Sequence, residues 1–308
     1  MPDLVEKIKG GLVGLLVGDA LGVPYEFHDR QSIPPTEKIE FEPPDDFRRA
    51  HVGVAPGTWS DDGAQALCLT ASLLERGRFD AGDLAEKIVR WYREDYLAVD
   101  GVFDVGNQTL RAILNLRKGV PPLEAGPKDE DKNGNGSLMR ALPLALWHRG
   151  TDEELVADAR SQSLVTHGHL RSQLCCAIYC LWARRTLEGS PAPWDDAVFE
   201  IRRIFPDRSA EREEMETHIL PDDPREPVGS GYVVDSLFSA KWACSNPDFE
   251  SIVKAAISLG DDTDTTACIA GGIAGIRFGF DAIPLRWREN LRGRELYQPL
   301  LEKLIERV

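Results

Sequence analysis

The chain has 308 residues, with 36 lysines and arginines against 51 aspartates and glutamates, for a formal charge of −15. A duplex nucleic-acid binder carries a basic stripe, and none is visible, so that class is set aside. The apolar share of 42 % is ordinary for a globular protein and sufficient for a sizeable core, while the acidic balance suits a soluble intracellular enzyme or a protein that holds divalent cations.

Helical periodicity dominates in chain order. Residues 4–17 place Leu4, Ile8, Leu12, Leu15 and Leu16 near one face. Gly10, Gly11, Gly14 and Gly18 predict close approach of another backbone. The early apolar run Leu12 to Val17 is too short to span a bilayer, and the first residues lack the charged and apolar regions of a signal peptide, so no membrane association is expected. Residues 29–57, with Pro34, Pro35, Pro43, Pro44 and Pro56, read as a loop. A helix over 63–76 carries Leu67, Leu69, Leu73 and Leu74 and stops at Gly77, and another over 83–97 carries Leu84, Ile88, Trp91, Tyr92 and Tyr96. Residues 120–135 form a second loop. Thr151 with Glu154 is a capping-box signature ahead of a helix at 152–165, and a helix over 171–188 ends at Gly189. Residues 206–230, a charged run followed by Pro221, Pro224 and Pro227, read mostly as solvated surface. Asn246-Pro247 opens a helix over 247–258, since proline suits a first helical turn. The stretch 265–278, small and apolar with Gly271, Gly272 and Gly275, predicts a tightly packed helix. No strand alternation and no repeat is visible, so the expected fold is all-α, in one domain spanning 1–308. The six cysteines, Cys68, Cys175, Cys176, Cys180, Cys244 and Cys268, lie in apolar helical stretches without a CxxC pair. They predict core thiols and a reducing, cytoplasmic location.

Two segments concentrate chemistry. Gly57-Thr58-Trp59-Ser60-Asp61-Asp62-Gly63 and Gly260-Asp261-Asp262-Thr263-Asp264-Thr265-Thr266 each pack carboxylates and hydroxyls where a helix begins. Aspartate, serine and threonine are favoured helix caps, and capping alone would account for one such cluster. Two clusters of matching chemistry, far apart in the chain and flanked by apolar residues, point further. Their donors are all oxygens, which suits Mg²⁺, Mn²⁺ or Ca²⁺ rather than zinc. Carboxylates brought together repel unless cations neutralise them. His167 and His169 have no further His or Cys pair to complete a tetrahedral zinc site.

The ordered pieces Gly14–Gly22, Tyr25-Glu26-Phe27, Trp59–Asp62, Asp104–Thr109, Gly134–Arg140, Thr166–His169 and Gly260–Thr265 resemble the ADP-ribosylhydrolases related to dinitrogenase reductase-activating glycohydrolase. The resemblance implies an all-α fold with two divalent cations, Mg²⁺ or Mn²⁺, at the floor of a cleft. It implies Ser60, Asp61, Asp62, Asp262, Asp264 and Thr265 as metal ligands. Ser60 stands where threonine is commoner and keeps the hydroxyl, and Asp261 falls outside the ligand pattern. Glu26 and Asp104 each match a proton-transfer position, in different branches of the family, and both are present. Asn135, Gly136, Ser137 and Met139 resemble the loop that contacts the distal ribose and diphosphate. His167 and His169 resemble residues beside the cleft, and Tyr232 one near the adenine ribose. Arg140 reads as structural.

The implied reaction is hydrolysis at C1″ of the distal ribose, with an ADP-ribosylated target, preferably a protein carrying ADP-ribosyl-arginine, as partner and the chain acting as a monomer. Serine-linked, nucleic-acid-linked and O-acetyl-ADP-ribose substrates remain open. So does a non-catalytic nucleotide-binding or crystallin-like role, which retention of every implied ligand and both acids disfavours.

Overall fold

Asp3 accepts the backbone N–H of Glu6 and starts helix α1 (Leu4–Gly22), which is buried along almost its whole length from Ile8 onward. A helix apolar all round belongs in a core. Together with the turn that follows, residues Leu4–Tyr25 are long and apolar enough to cross a bilayer, contrary to the reading from the apolar run alone, but 94 % of the most apolar window is enclosed by protein. The coordinates, a computed structural model, describe residues 2–307.

Fourteen α-helices are present among the described residues. After α1 come α2 (Asp61–Arg76), α3 (Ala81–Glu94), α4 (Asn107–Arg117), α5 (Leu142–Trp147), α6 (Asp152–Leu164) and α7 (Leu170–Glu188). Then follow α8 (Pro193–Ile204), α9 (Ala210–Glu214), α10 (Val233–Ala243), α11 (Phe249–Ile257), α12 (Thr263–Phe278), α13 (Leu285–Asn290) and α14 (Arg294–Ile305). Among the described residues there is no sheet, only an isolated bridge between Gly134 and Tyr232.

The spine of the molecule is α1 packed along α12. Glycines make the contact possible. A Cβ on Gly10 would lie 2.1 Å from the carbonyl oxygen of Gly275, one on Gly14 2.5 Å from that of Gly271, and one on Gly18 2.1 Å from that of Ala267. Helix α2 lies against α3, α5 and α14, α7 against α5, α6, α8 and α10, and α10 and α11 cover α12.

Local signals held where they act locally. Thr151 and Glu154 close a full capping box on α6. Gly77 and Gly189 end α2 and α7 in left-handed conformation. One reading needs correction and another refinement. Helix α11 begins at Phe249, because Asp248 caps it in a box with Ser251, and this leaves Pro247 outside. The stretch 206–230 contains α9 and a π turn over Met215–Ile219 with Met215 and Ile219 buried. The rest of the stretch is mostly exposed surface, as its composition predicts, and the stretch is tied to its neighbours by pairs of Arg202 with Glu216 and Asp222 and of Arg171 with Glu214.

Candidate active site and metal centre

The α1–α12 contact delivers one end of each helix to one place. A Cβ on Gly22 would stand 2.4 Å from Cα of Asp264, so glycine there lets the end of α1 meet the start of α12. One turn earlier on α1, Asp19 is fully buried and accepts the backbone N–H groups of Ser60 (2.9 Å) and Gly63 (2.7 Å). Asp19 thereby caps α2 from outside it, a charge-assisted contact with a helix N-terminus. Ser60 is the cap within the chain, and Asp61 and Asp62 occupy the first turn. Asp262 stands at the N-cap position of α12 without a side-chain capping bond, with Asp264 and Thr265 in the first turn.

The two acidic clusters, distant in sequence, meet. Thr265 Oγ1 donates to both carboxylate oxygens of Asp62 at 3.2 Å, and Ser60 Oγ donates to Asp62 Oδ2 at 3.3 Å. Single oxygens of Asp19, Asp62 and Asp264 lie within 4.8 Å of one another, as do those of Glu26, Asp262 and Asp264. Asp264 belongs to both groups. Asp61 belongs to neither, and accepts from Gln65 Nε2 at 3.1 Å.

Electrostatics show what this arrangement lacks. Burial pushes the Asp19 carboxyl up to about 7. Burial, with neighbouring carboxylates adding, drives Asp61, Asp62 and Asp264 well above the usual carboxylate range. Burial first, then Asp104, lifts Glu26 to about 11, and burial with Asp262 lifts Asp104 to about 6. Apart from the His51 imidazole on Glu26, the groups donating to these acids are hydroxyls, amides and backbone N–H groups, and among the described residues Asp264 Oδ2 is buried with no hydrogen-bond partner. Unpaired carboxylates in a low-dielectric pocket are costly. An all-oxygen donor set with an orphaned carboxylate oxygen fits Mg²⁺ or Mn²⁺.

Above this floor opens a cleft of about 360 Å³. Its lining includes the acids Glu26, Asp61, Asp104 and Asp262 with Thr265, and residues 134–136, Met139 and His167. Asn135 links the loop to the acids, donating from Nδ2 to Asp262 Oδ2 at 2.9 Å and to Ser236 at 2.9 Å. His167 is buried, bonded through Nδ1 to Thr166 Oγ1, and held neutral, its pKa lowered to about 3 by burial and by Arg140. Arg140 is itself buried among Gln65, Gln162 and the Gly136 carbonyl, a structural brace.

Three expected substrate contacts lie outside the cleft lining. The Ser137 hydroxyl is buried against Ser163 and Cys176. His169 caps α7, its Nδ1 accepting the N–H of Arg171. The Tyr232 hydroxyl accepts from Arg171 at 3.0 Å, so only its backbone, bridged to Gly134, reaches the loop. Motif position placed these residues near the site but did not fix the direction of their side chains. Asp261, left out of the ligand pattern, is exposed and brackets the loop after Glu26 through backbone bonds to Phe27 and His28.

Sequence reasoning did not assign Gly106–Thr109, which line the cleft, nor two residues that contact its acids, Asp19 and His51. Asp19 had a signal: it is the only charge between Gly10 and Pro24. His51 had none. Its Nε2 shares a 2.5 Å hydrogen bond with Glu26 Oε2, a contact that exists only because the loop 29–57 folds back.

Fold and site together define an all-helical hydrolase whose cleft is floored by carboxylates from facing helix ends. The ADP-ribosylglycohydrolase family profile matches residues 1–308, and the chain belongs to that family and is a hydrolase of glycosyl bonds, acting on ADP-ribosyl groups. It is 33 % identical over 308 residues to the ADP-ribosylarginine hydrolase Tri1 of Serratia proteamaculans (strain 568), covering 98 % of this chain and 80 % of the relative. It is 27 % identical over 296 residues to the ADP-ribosyl-[dinitrogen reductase] glycohydrolase of Rhodospirillum rubrum, covering 94 % and 92 %. A solved structure described as an ADP-ribosylglycohydrolase-related protein complex superposes with a TM-score of 0.78 at 31 % identity, covering 99 % of both chains.

Proposed function

We propose that this protein is a cytoplasmic, divalent-cation-dependent hydrolase that cleaves the bond between C1″ of ADP-ribose and a modified arginine side chain. The metal requirement is carried by one observation: Asp264 is shared by two carboxylate groups, with its Oδ2 buried and unpartnered. Asp62, Asp262 and Asp264, with oxygens from Ser60, Asp61 and Thr265, would hold two cations, Mg²⁺ or Mn²⁺, and Asp19 belongs with them. Bound there, the cations supply positive charge that orients the distal ribose and stabilises charge in the transition state. The arginine preference is supported by the likeness to a relative named for that activity, and the location by six free cysteines.

The chain's own residues do the rest. Asn135, Gly136, Met139 and His167 line the same cleft as the acids and receive the ADP-ribose. Gly136 has no side chain to obstruct that approach, and neutral His167 brings no second charge. Asp104, raised to about 6, is suited to move a proton near neutral pH. It takes a proton from the attacking water as the oxygen bonds to C1″, and returns one to the departing guanidine nitrogen as the C–N bond breaks. Water plus ADP-ribosyl-arginine thus gives ADP-ribose plus arginine.

The test is a hydrolysis panel with Mg²⁺ or Mn²⁺ on arginine-linked, serine-linked and nucleic-acid-linked ADP-ribose and on O-acetyl-ADP-ribose. Release of ADP-ribose from the arginine-linked substrate, abolished by chelator, is expected. Turnover undiminished by chelator would remove the metal role, and turnover confined to another linkage would remove the arginine assignment.

A further inference from the structure

Glu26 lines the cleft and is 4 % exposed. Its carboxylate meets the imidazole of His51, which arrives from the far end of the loop 29–57. The imidazole makes tilted contacts with two aromatic rings, with centroids 5.4 Å from Phe27 and 5.1 Å from Phe103. Single ligand-type atoms of Glu26, His51 and Asp104 all lie within 4.8 Å of one another. Three separate segments are bent to make this cluster. Phe27, His51 and Asp104 all adopt left-handed backbone conformations, with φ of 62°, 49° and 51°. Bulky residues avoid that region, and strain of this kind persists where the surroundings over-determine it and where a site uses it. Backbone bonds hold the bends in place: Phe27 N–H to Asp261 O at 2.8 Å and Ala50 N–H to Pro24 O at 2.8 Å.

We infer that His51 is the positioning residue of the Glu26 carboxylate. The 2.5 Å bond from His51 Nε2 occupies Oε2 and leaves Oε1 free for the cleft. A glutamate has three side-chain torsions, and among mutually repelling carboxylates an untethered one swings away. The two ring contacts restrict the imidazole, and the imidazole fixes the carboxylate, as an outer hydrogen-bond partner orients a working group. His51 itself does not line the cleft, so it acts through Glu26. The inference rests on the proposed hydrolysis and adds a residue that no motif identifies.

The test compares His51→Phe, which keeps an aromatic ring against Phe27 and Phe103 and removes the hydrogen bond, with His51→Gln, which keeps a donor near the Nε2 position. Both are measured on ADP-ribosyl-arginine with saturating Mn²⁺, in wild-type and Glu26→Gln backgrounds. His51→Phe should lower kcat by roughly 10–100-fold with KM and Mn²⁺ affinity little changed. His51→Gln should recover a large part of the loss. In the Glu26→Gln background the His51 effect should shrink, because coupled residues are not additive. Wild-type kcat in His51→Phe, a loss that stays fully additive with Glu26→Gln, or an unimpaired Glu26→Gln would overturn the assignment. A readout independent of turnover separates it from the proposed function. The ¹⁵N shift of His51 Nε2 should move on Glu26→Gln even if the wild type hydrolyses none of the substrates, and an unmoved shift would sink the inference by itself.

Discussion

Asp104 and Glu26 sit in one cleft, yet their surroundings push them apart. Asp104 is raised to about 6 and Glu26 to about 11, burial leading in both. A proton-transfer group works best with a pKa near the operating pH, which favours Asp104. Asp104→Asn is therefore expected to lower kcat by roughly 10²–10⁴-fold while ADP-ribose still binds, and Glu26→Gln to cost less on an arginine-linked substrate. The reverse ranking in single-turnover kinetics at saturating metal would transfer the role to Glu26. Asp19 makes a second prediction. It shares a cation-sized group with Asp62 and Asp264 and caps α2. Asp19→Asn should weaken Mn²⁺ binding by calorimetry at least about 10-fold while circular dichroism reports nearly unchanged helix. Unaltered affinity would reduce Asp19 to a cap.

Among elements, the α1–α12 pair sets the geometry of the floor, since α1 carries Asp19 and α12 carries Asp264. A Cβ on Gly18 would lie 2.1 Å from the backbone oxygen of Ala267, and backbone cannot step aside as a flexible side chain can. Gly18→Ala should cost about 1–3 kcal/mol, the range for overpacking, and lower cation affinity because the two helix ends part. Gly82→Ala in exposed α3, where the nearest atom is a side-chain oxygen at 3.4 Å, is the control and should be neutral or mildly stabilising. Equal melting temperatures for the two variants would refute the close-packing account. In the loop that lines the cleft, a Cβ on Gly136 would come within 2.8 Å of His167 Cε1. Gly136→Val should weaken ADP-ribose binding more than Mn²⁺ binding, and calorimetry showing unchanged ADP-ribose affinity would remove this loop from the substrate site.

The whole molecule carries these local charges as a pH dependence. Without cations, Asp19 is raised to about 7 and Asp104 to about 6. Between the ordinary aspartate range and those values the folded state holds more protons than the unfolded one. Stability from these groups is thus full at low pH and is lost as pH rises through about 6–7. Cations release the same protons, so their stabilisation grows over the same window. The melting temperature in Mn²⁺ minus that in chelator should widen from pH about 5 to about 8. Surface pairs such as Arg202 with Glu216, which hold the glutamate low, cancel in that difference. A gap independent of pH would mean that buried carboxylates do not hold the cation.

What could be read from the sequence alone was what acts over one or two turns. Ser60 and Asp262 at helix starts, the Thr151–Glu154 box and the glycine stops at 77 and 189 are local chemistry, and they fell where their spacing put them. The family pattern around Asp61-Asp62 and Asp262–Thr265 likewise named the acids of the floor. Several short or irregular elements escaped: α5 is six residues of unbroken apolar character, without a period to detect, and α14 runs through Pro299. The tertiary structure decided everything that depends on direction or on a distant partner. It turned Ser137 into the core, set His169 on a helix end and bound the Tyr232 hydroxyl to Arg171. It also brought Asp19 under α2 and His51 onto Glu26. A motif records which residues are near one another along the chain, whereas a side chain's work depends on which way it points and on the field of groups that only folding assembles.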